Sequence, residues 1–239
     1  NYVNLPWSVH PNRDKKWFDK ETRNMSPREI AQELECSFNA SGETVVSGDK
    51  LELLFEESCD PGHRAGFDRN YWIWEQPLDG LEYVVVGDVA RGDGKDYSTV
   101  QVIRCDTMEQ VAEYQGKITA DMYAPLIAEI AAEYNNALLV IENNRDYGVL
   151  SKLEELEYPN LYYSLKSTHD YVDQLVAQAK NGIAGFTMSM KTRPLVIAKL
   201  EEFIRNGVIK INSVRTASEL KTFIWQNGRA QAMRGYNDD

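Results

Sequence analysis

The sequence has few of the residues on which zinc-bound or disulfide-stapled proteins are built: three histidines and three cysteines in 239 residues. Cys36, Cys59 and Cys105 form no CxxC pair, and an odd count gives no disulfide framework, so a reducing cytosol fits best. His10, His63 and His169 stand in no HExxH or comparable spacing, and zinc is not suggested. No apolar run approaches the roughly 18 residues that a spanning helix needs. Asn1-Tyr-Val-Asn4 offers neither a basic start nor an apolar signal core, so neither secretion nor membrane insertion is indicated. No GxSxG occurs and Ser151 and Ser164 have no base in view, which leaves acyl transfer without support. Gly92-Asp-Gly-Lys95 is not a phosphate loop, because that motif requires Gly at Val89 and Ser or Thr at Asp96.

What is present is a hydrophobic fraction of 43%, enough for a real core, and a formal net charge of −11. That charge argues against nonspecific adhesion to DNA over the whole surface. It is uneven, however. Residues 191–239 carry nine Lys or Arg against five Asp or Glu, a local balance of +4 that leaves −15 for residues 1–190. A basic C-terminal face beside an acidic cluster suits a metal-dependent nuclease, and chance also produces such a balance.

The chain reads in two parts, with a boundary between about 57 and 80. In the first, the Pro- and Trp-bearing segment 5–17 reads as irregular, Ser26-Pro-Arg-Glu29 is a capping box predicting a helix over about 27–37, and Ser58–Gly66 reads as a linker. The second opens with Leu81–Asp88, an apolar β-branched run that ends in a carboxylate, followed by alternating runs over 98–104 and 110–117 that complete a three-stranded antiparallel meander. Asp121 can cap a helix with Leu126, Ile127, Ile130, Ala131 and Tyr134 on one face. Ala137–Glu142 is then a short apolar strand, expected to be central and parallel to the first, and it too ends in a carboxylate. Helices are expected over 146–156, 192–206 (capped by Thr192) and 217–225, and strands over 161–164 and 208–211. A β-β-β-α-β-α-β-α order with a central parallel pair predicts an α/β, ribonuclease H-like mixed sheet flanked by helices.

Parallel neighbouring strands place Asp88 and Glu142 side by side at one edge of the sheet. For each acid the alternative is a turn role, since Asp beside Gly favours turns for local reasons. Clustered carboxylates repel, and a divalent cation relieves the repulsion; oxygen ligands suit Mg²⁺ or Mn²⁺ with phosphate completing the shell. Two such ions can activate a water and stabilise the leaving oxygen in phosphodiester cleavage. The acids Asp238 and Asp239 offer a third ligand, with a helix N-terminus as the alternative reading of that pair. Lys191-Thr-Arg-Pro194 opens a helix with two cations, suited to backbone phosphates of DNA, or is a plain helix cap.

These residues also carry a family resemblance. Pro6-Trp7, His10-Pro-Asn-Arg-Asp14, Trp17, Ala31-Gln-Glu-Leu-Glu35, Ser37-Phe38 and Ala40-Ser-Gly42 look like the segment joining the ATPase and nuclease domains of the large terminase subunit of tailed bacteriophages. Gly87-Asp88 with Gly92, Gly94 and Asp96-Tyr97 is similar to the first acidic motif of its nuclease domain, and Val140-Ile-Glu142-Asn143-Asn144 to the second. Thr192-Arg193-Pro194 and Gly235-Tyr-Asn-Asp238-Asp239 are similar to later ones, with Asn237 standing where His is common. The resemblance implies residues 1–60 as the end of the ATPase domain and linker, and 61–239 as a ribonuclease H-like nuclease domain, a fragment truncated at its C-terminal helix. It implies an endonuclease cutting concatemeric viral double-stranded DNA during headful packaging, with two Mg²⁺ or Mn²⁺ ions held by Asp88, Glu142 and Asp238. Asp239 would assist or replace Asp238, Asp96 would shape the surroundings of the first ion, and Lys191 and Arg193 would meet DNA. Without the family's nucleotide-binding motifs, no ATPase activity is expected. Portal protein and small terminase subunit would be partners of the intact protein, which would act in the host cytoplasm and transiently at the procapsid portal. A junction-resolving or integrase-type nuclease, or a noncatalytic DNA-binding module, remain the competing readings.

Overall fold

The computed structural model describes residues 7–25, 34, 44–90, 96–144, 148–164 and 182–236. They fall into two compact units, one formed by residues 1–56 with 217–238 and the other by 57–216. Among the described residues no helix is long and apolar enough to cross a membrane. The predicted helix over 27–37 lies almost wholly outside the described residues.

In the first unit the segment expected to be irregular contains a helix, α1 (Lys15–Glu21), because Asp14 caps it by accepting from the Trp17 N–H at 2.8 Å. Trp7 stacks on Phe18 with ring centroids 4.5 Å apart, and the Arg13 guanidinium lies 4.5 Å over Trp17, so the aromatic residues pack on one another. Helix α2 (Gly48–Glu57) buries Leu51 and Leu54.

The second unit is organised by a six-stranded sheet. Its strands are β1 (His63–Ala65), β2 (Tyr71–Ile73), β3 (Tyr83–Asp88), β4 (Ser98–Arg104), β5 (Glu109–Gly116) and β6 (Leu138–Ile141), in the order β1-β2-β5-β4-β3-β6. All pairs are antiparallel except β3 with β6. This is the ribonuclease H-like mixed sheet expected of the sequence. Ser58–Gly66, read as a linker, contributes β1 instead; three-residue strands are too short to show a period.

Helix α3 (Ala120–Glu133) covers one face, bringing Tyr123, Ala124, Ile127, Ile130 and Ala131 against Val85, Val100, Val102, Leu139 and Ile141. Each large side chain buried there contributes about 1.5–3 kcal/mol, which is what fixes the register of β3. Thr119, not Asp121, occupies the cap of α3; Asp121 sits in the first turn, where hydrogen bonds from Thr119 and then from the N–H groups of Asp121 and Met122 hold its pKa below the usual value. Helix α4 (Val149–Glu155) is shorter than the predicted 146–156.

Strand β6 pairs in parallel with β3 as expected, but it is the last regular strand rather than a central one. Its outer edge is nonetheless occupied: Tyr162 N–H donates to Leu139 O, and Phe186 N–H to Ile141 O at 2.7 Å. The donors belong to the segments carrying β7 (Tyr163–Ser164) and β8 (Ile183–Ala184). Helix α5 (Thr192–Arg205) follows. Residues 208–211 do not form a strand; only Lys210 bridges to Glu109. The helix expected over 217–225 is α6 (Val214–Thr222), which gives way to a hairpin of β9 (Phe223–Gln226) and β10 (Arg229–Ala232). Asn227 and Gly228, with φ of 53° and 74°, make its two-residue turn.

Candidate functional site

Along β3 the side chains alternate, so Tyr83, Val85 and Gly87 face α3 while Val84, Val86 and Asp88 face the other way. The β3/β6 register pairs Val86 with Val140 and Gly87 with Ile141. The next position on each strand is a carboxylate: Asp88 and Glu142. Glu142 N–H reaches Gly87 O at 3.4 Å, which carries the ladder to the two acids. Adjacent strands are about 4.8 Å apart, so the two acids are lateral neighbours on one sheet face, as the sequence predicts.

The position of Asp88 depends on Gly87. A Cβ at residue 87 would stand 2.4 Å from both the Tyr123 hydroxyl and Ile127 Cδ1, and 2.8 Å from Ile141 Cδ1. Only hydrogen fits there, and α3 closes directly behind the carboxylate. Tyr123, fully buried, donates to Thr99 O at 2.6 Å, and Thr99 is the cross-strand partner of Asp88. Burial pushes the Tyr123 phenol well above its ordinary pKa, and the nearby Asp88 charge pushes the same way, so Tyr123 remains a proton donor. Asp88 Oδ1 accepts from Val89 N–H at 2.8 Å, so the carboxylate also fulfils the local turn role that its sequence context suggests.

Glu142 is tied differently. Asn144 Nδ2 donates to Glu142 Oε1 at 2.9 Å and also to Met188 O. Asn143 is anchored beside it, its N–H donating to Phe186 O at 2.9 Å and its side chain to Ala184 O at 3.1 Å. The segment 184–188 lies close because residue 185 is Gly: with φ of +79°, it has Ile141 O 2.5 Å from where a Cβ would be.

That segment leads into α5. Ser189 Oγ accepts from the Lys191 and Thr192 N–H groups, at 3.2 and 3.1 Å, while Thr192 Oγ1 accepts from Ser189 N–H at 2.7 Å. Lys191 occupies the cap position without a side-chain cap bond, so Ser189, two residues earlier, satisfies the first N–H groups, and Thr192, expected to cap the helix, is its first residue and bonds back to Ser189. Lys191 is exposed and Arg193 half-buried at this helix start.

Asp96 is exposed and lies past the same sheet edge, since β4 runs antiparallel to β3 and Asp96 precedes it. Asp238 and Asp239 lie outside the described residues, as does the glycine-bearing segment 91–95. Among the described residues no group of three or more His, Cys, Asp or Glu side chains is arranged to hold a metal ion. The pair Asp88 and Glu142 offers oxygen donors alone, a set that fits hard divalent cations such as Mg²⁺ or Mn²⁺ rather than zinc. Neither the bridging role of Asn144 nor the tight packing at Gly87 is expected from the sequence, although both residues stand within the two acidic motifs, Gly87 beside Asp88 and Asn144 two positions after Glu142.

The sequence matches no protein-family model and no curated protein. The fold is similar to that of the large terminase nuclease from thermophilic phage G20c, with a TM-score of 0.60 at 16% identity over 82% of this chain and 92% of that one. It is similar also to that nuclease with bound magnesium (TM-score 0.59, 16% identity, 82% and 92% covered). The nuclease domain of the Thermus phage P74-26 large terminase gives a TM-score of 0.56 at 16% identity, over 79% of this chain and 88% of that one. The likeness is one of fold, and this chain has the ribonuclease H-like fold found in large terminase nuclease domains.

Proposed function

We propose that the chain is a metal-dependent endonuclease that cleaves concatemeric viral double-stranded DNA during headful genome packaging. The observation that carries the reading is the pairing of Asp88 and Glu142 at the ends of the parallel strands β3 and β6, within a fold shared with large terminase nucleases. The G20c nuclease has been seen with magnesium bound, which supports a divalent ion here.

Asp88 and Glu142 would hold the ions, with Asp238 as third ligand, Asp239 assisting it and Asp96 shaping the surroundings. When bound, two divalent ions supply activation of the attacking water and stabilisation of the leaving oxygen. The protein's own residues do the rest. Gly87 and Tyr123 fix the strand that carries Asp88, and Asn144 donates to one Glu142 oxygen. Lys191 and Arg193 at the start of α5 receive backbone phosphates, contacts that position DNA without reading its sequence. The portal protein and the small terminase subunit would be partners of the intact protein, and its place of action the host cytoplasm and the procapsid portal.

The test is nicking of supercoiled plasmid with Mn²⁺ or Mg²⁺. Asp88→Asn and Glu142→Gln each remove a negative ligand while keeping volume, and both are expected to reduce cleavage to the metal-free background. A folded variant of either kind that nicks at the parent rate overturns the assignment.

A further inference from the structure

An amide side chain has two N–H donors, and those of Asn144 go to two different elements. One reaches the Glu142 carboxylate and the other the carbonyl of Met188, in the turn before α5. Asn144 is itself exposed, so its packing does not explain its place.

The two acceptors differ in how much they depend on Asn144. The turn is held many times over without it. Phe186 N–H donates to Ile141 O, Thr192 Oγ1 donates to Thr187 O at 3.0 Å, Ser189 and Thr192 bond reciprocally, and Arg193 N–H donates to Ser189 O at 2.9 Å. Removing one amide leaves that scaffold standing. The Glu142 carboxylate ends a flexible side chain, and Asn144 is the donor that fixes one of its oxygens. The Met188 bond therefore serves as the anchor: it ties the Asn144 amide to a rigid turn, so that its second N–H presents a fixed donor to Glu142 Oε1.

We infer that Asn144 is a positioning residue that preorganises the Glu142 carboxylate for a divalent cation, leaving Oε2 and the remaining lone pair of Oε1 for the ion. The inference rests on the nuclease reading, in which Glu142 is a ligand. Partners of this kind that orient a ligand change metal affinity by about 10–100-fold when removed.

The experiment measures Mn²⁺ binding to the purified chain from the free-ion signal in electron paramagnetic resonance, alongside Mn²⁺-dependent nicking. Asn144→Ala is expected to weaken Mn²⁺ binding by about tenfold or more and to shift the half-saturating Mn²⁺ for nicking by the same factor. Much of the rate should return at high Mn²⁺. Asn144→Gln keeps the amide on a longer stem and should lie between Asn144→Ala and the parent; it also provides the reading should Asn144→Ala fail to fold. Affinity for DNA in Ca²⁺, measured in the Glu142→Gln background, and the metal-free Tm should not move, because the turn keeps its other bonds. If the parent binds Mn²⁺ and nicks, but the Asn144 variants follow the parent's metal curve, the positioning role is overturned and the nuclease reading stands. Equal losses of DNA affinity and metal affinity would also overturn it, since they would mark Asn144 as a support of the turn. A parent that neither binds Mn²⁺ nor nicks overturns the nuclease reading, and this inference with it.

Discussion

Gly87→Ala is a severe test of how the site is built, because two effects of opposite sign meet at one atom. Residue 87 is not in the left-handed region, so Ala can adopt its backbone conformation, and the stiffer unfolded chain alone would stabilise the protein by about 0.4–1 kcal/mol. Against this, the new methyl would lie 2.4 Å from two atoms and 2.8 Å from a third. The isoleucine Cδ1 atoms can swing aside. The Tyr123 hydroxyl cannot do so cheaply, because its ring is fully buried and it holds the Thr99 carbonyl at 2.6 Å. Overpacking of this kind costs about 1–3 kcal/mol, so the clash wins, and a net loss of about 1–2 kcal/mol is expected. For a domain of this size that is a fall in Tm of roughly 2–8 °C. Chemical denaturation of Gly87→Ala, Ile127→Val and the double variant completes a cycle: trimming Cδ1 should cost less in the Ala background, with a coupling of at least about 0.5 kcal/mol. Since the displaced strand carries Asp88, nicking should fall further than stability does. A Gly87→Ala protein that melts at or above the parent temperature would refute the close-packing argument.

Three further outcomes are expected. Arg215 lies 3.4 Å over the Trp72 ring and 3.3 Å from Glu113, whose side chain is 2% exposed; Arg215→Ala strands that buried charge and should cost about 3 kcal/mol, while adding Glu113→Gln should recover part of the loss in urea titrations. Burial acts to raise the Glu109 pKa, but hydrogen bonds from Lys210 at 2.6 Å and Asn212 at 3.1 Å outweigh it, leaving a net depression below 4.5. A depressed carboxylate stabilises the fold above its unfolded pKa and loses that contribution as pH falls through the folded one, so Glu109→Gln should flatten the decline in Tm on acidification below about pH 4.5; a parallel decline would refute the linkage. Lys191→Ala with Arg193→Ala, in the Glu142→Gln background with Ca²⁺, should weaken DNA binding across all sequences and reduce the salt slope by roughly one unit per residue; unchanged affinity and slope would remove this helix start from the DNA face.

The parts of the fold that were legible in the sequence are those whose period is long enough to register. Strands β3 to β5 and helix α3 were found within a residue or two of their ends, because alternation and a helical stripe run through each. The apolar run before Glu142 gave a strand parallel to β3, and those two strands gave the acidic pair. Strands β1 and β2 were too short to show any pattern. Asn227-Gly228 is a strong hairpin signal, but the residues before it continue the apolar spacing of α6, and the helical reading takes in Phe223–Trp225, the first residues of β9. Residues 208–211 alternate like a strand yet make one bridge: Lys210 meets β5 at Glu109 and Gln110, and from Val111 onward that edge is taken by Trp74 and β2. At the candidate site, residue type and strand ends pointed to Asp88 and Glu142. Asn144 and Gly87 act through what stands beside them, and those neighbours come from residues 123–127 and 184–188, which no local pattern connects to them.

The parallel pairing of β3 with β6 also sets the time at which the acids meet. Strands close together in the sequence can pair early, as β3 and β4 can, but β6 reaches β3 only after β4, β5 and α3 have been traversed. Such long-range closure bears its entropy cost before its contacts repay it, which makes it a slow step of folding. Until it happens Asp88 stands without Glu142 beside it. In the nuclease reading, a nascent or partly folded chain therefore lacks the acidic pair, and no DNA is cut before the sheet closes.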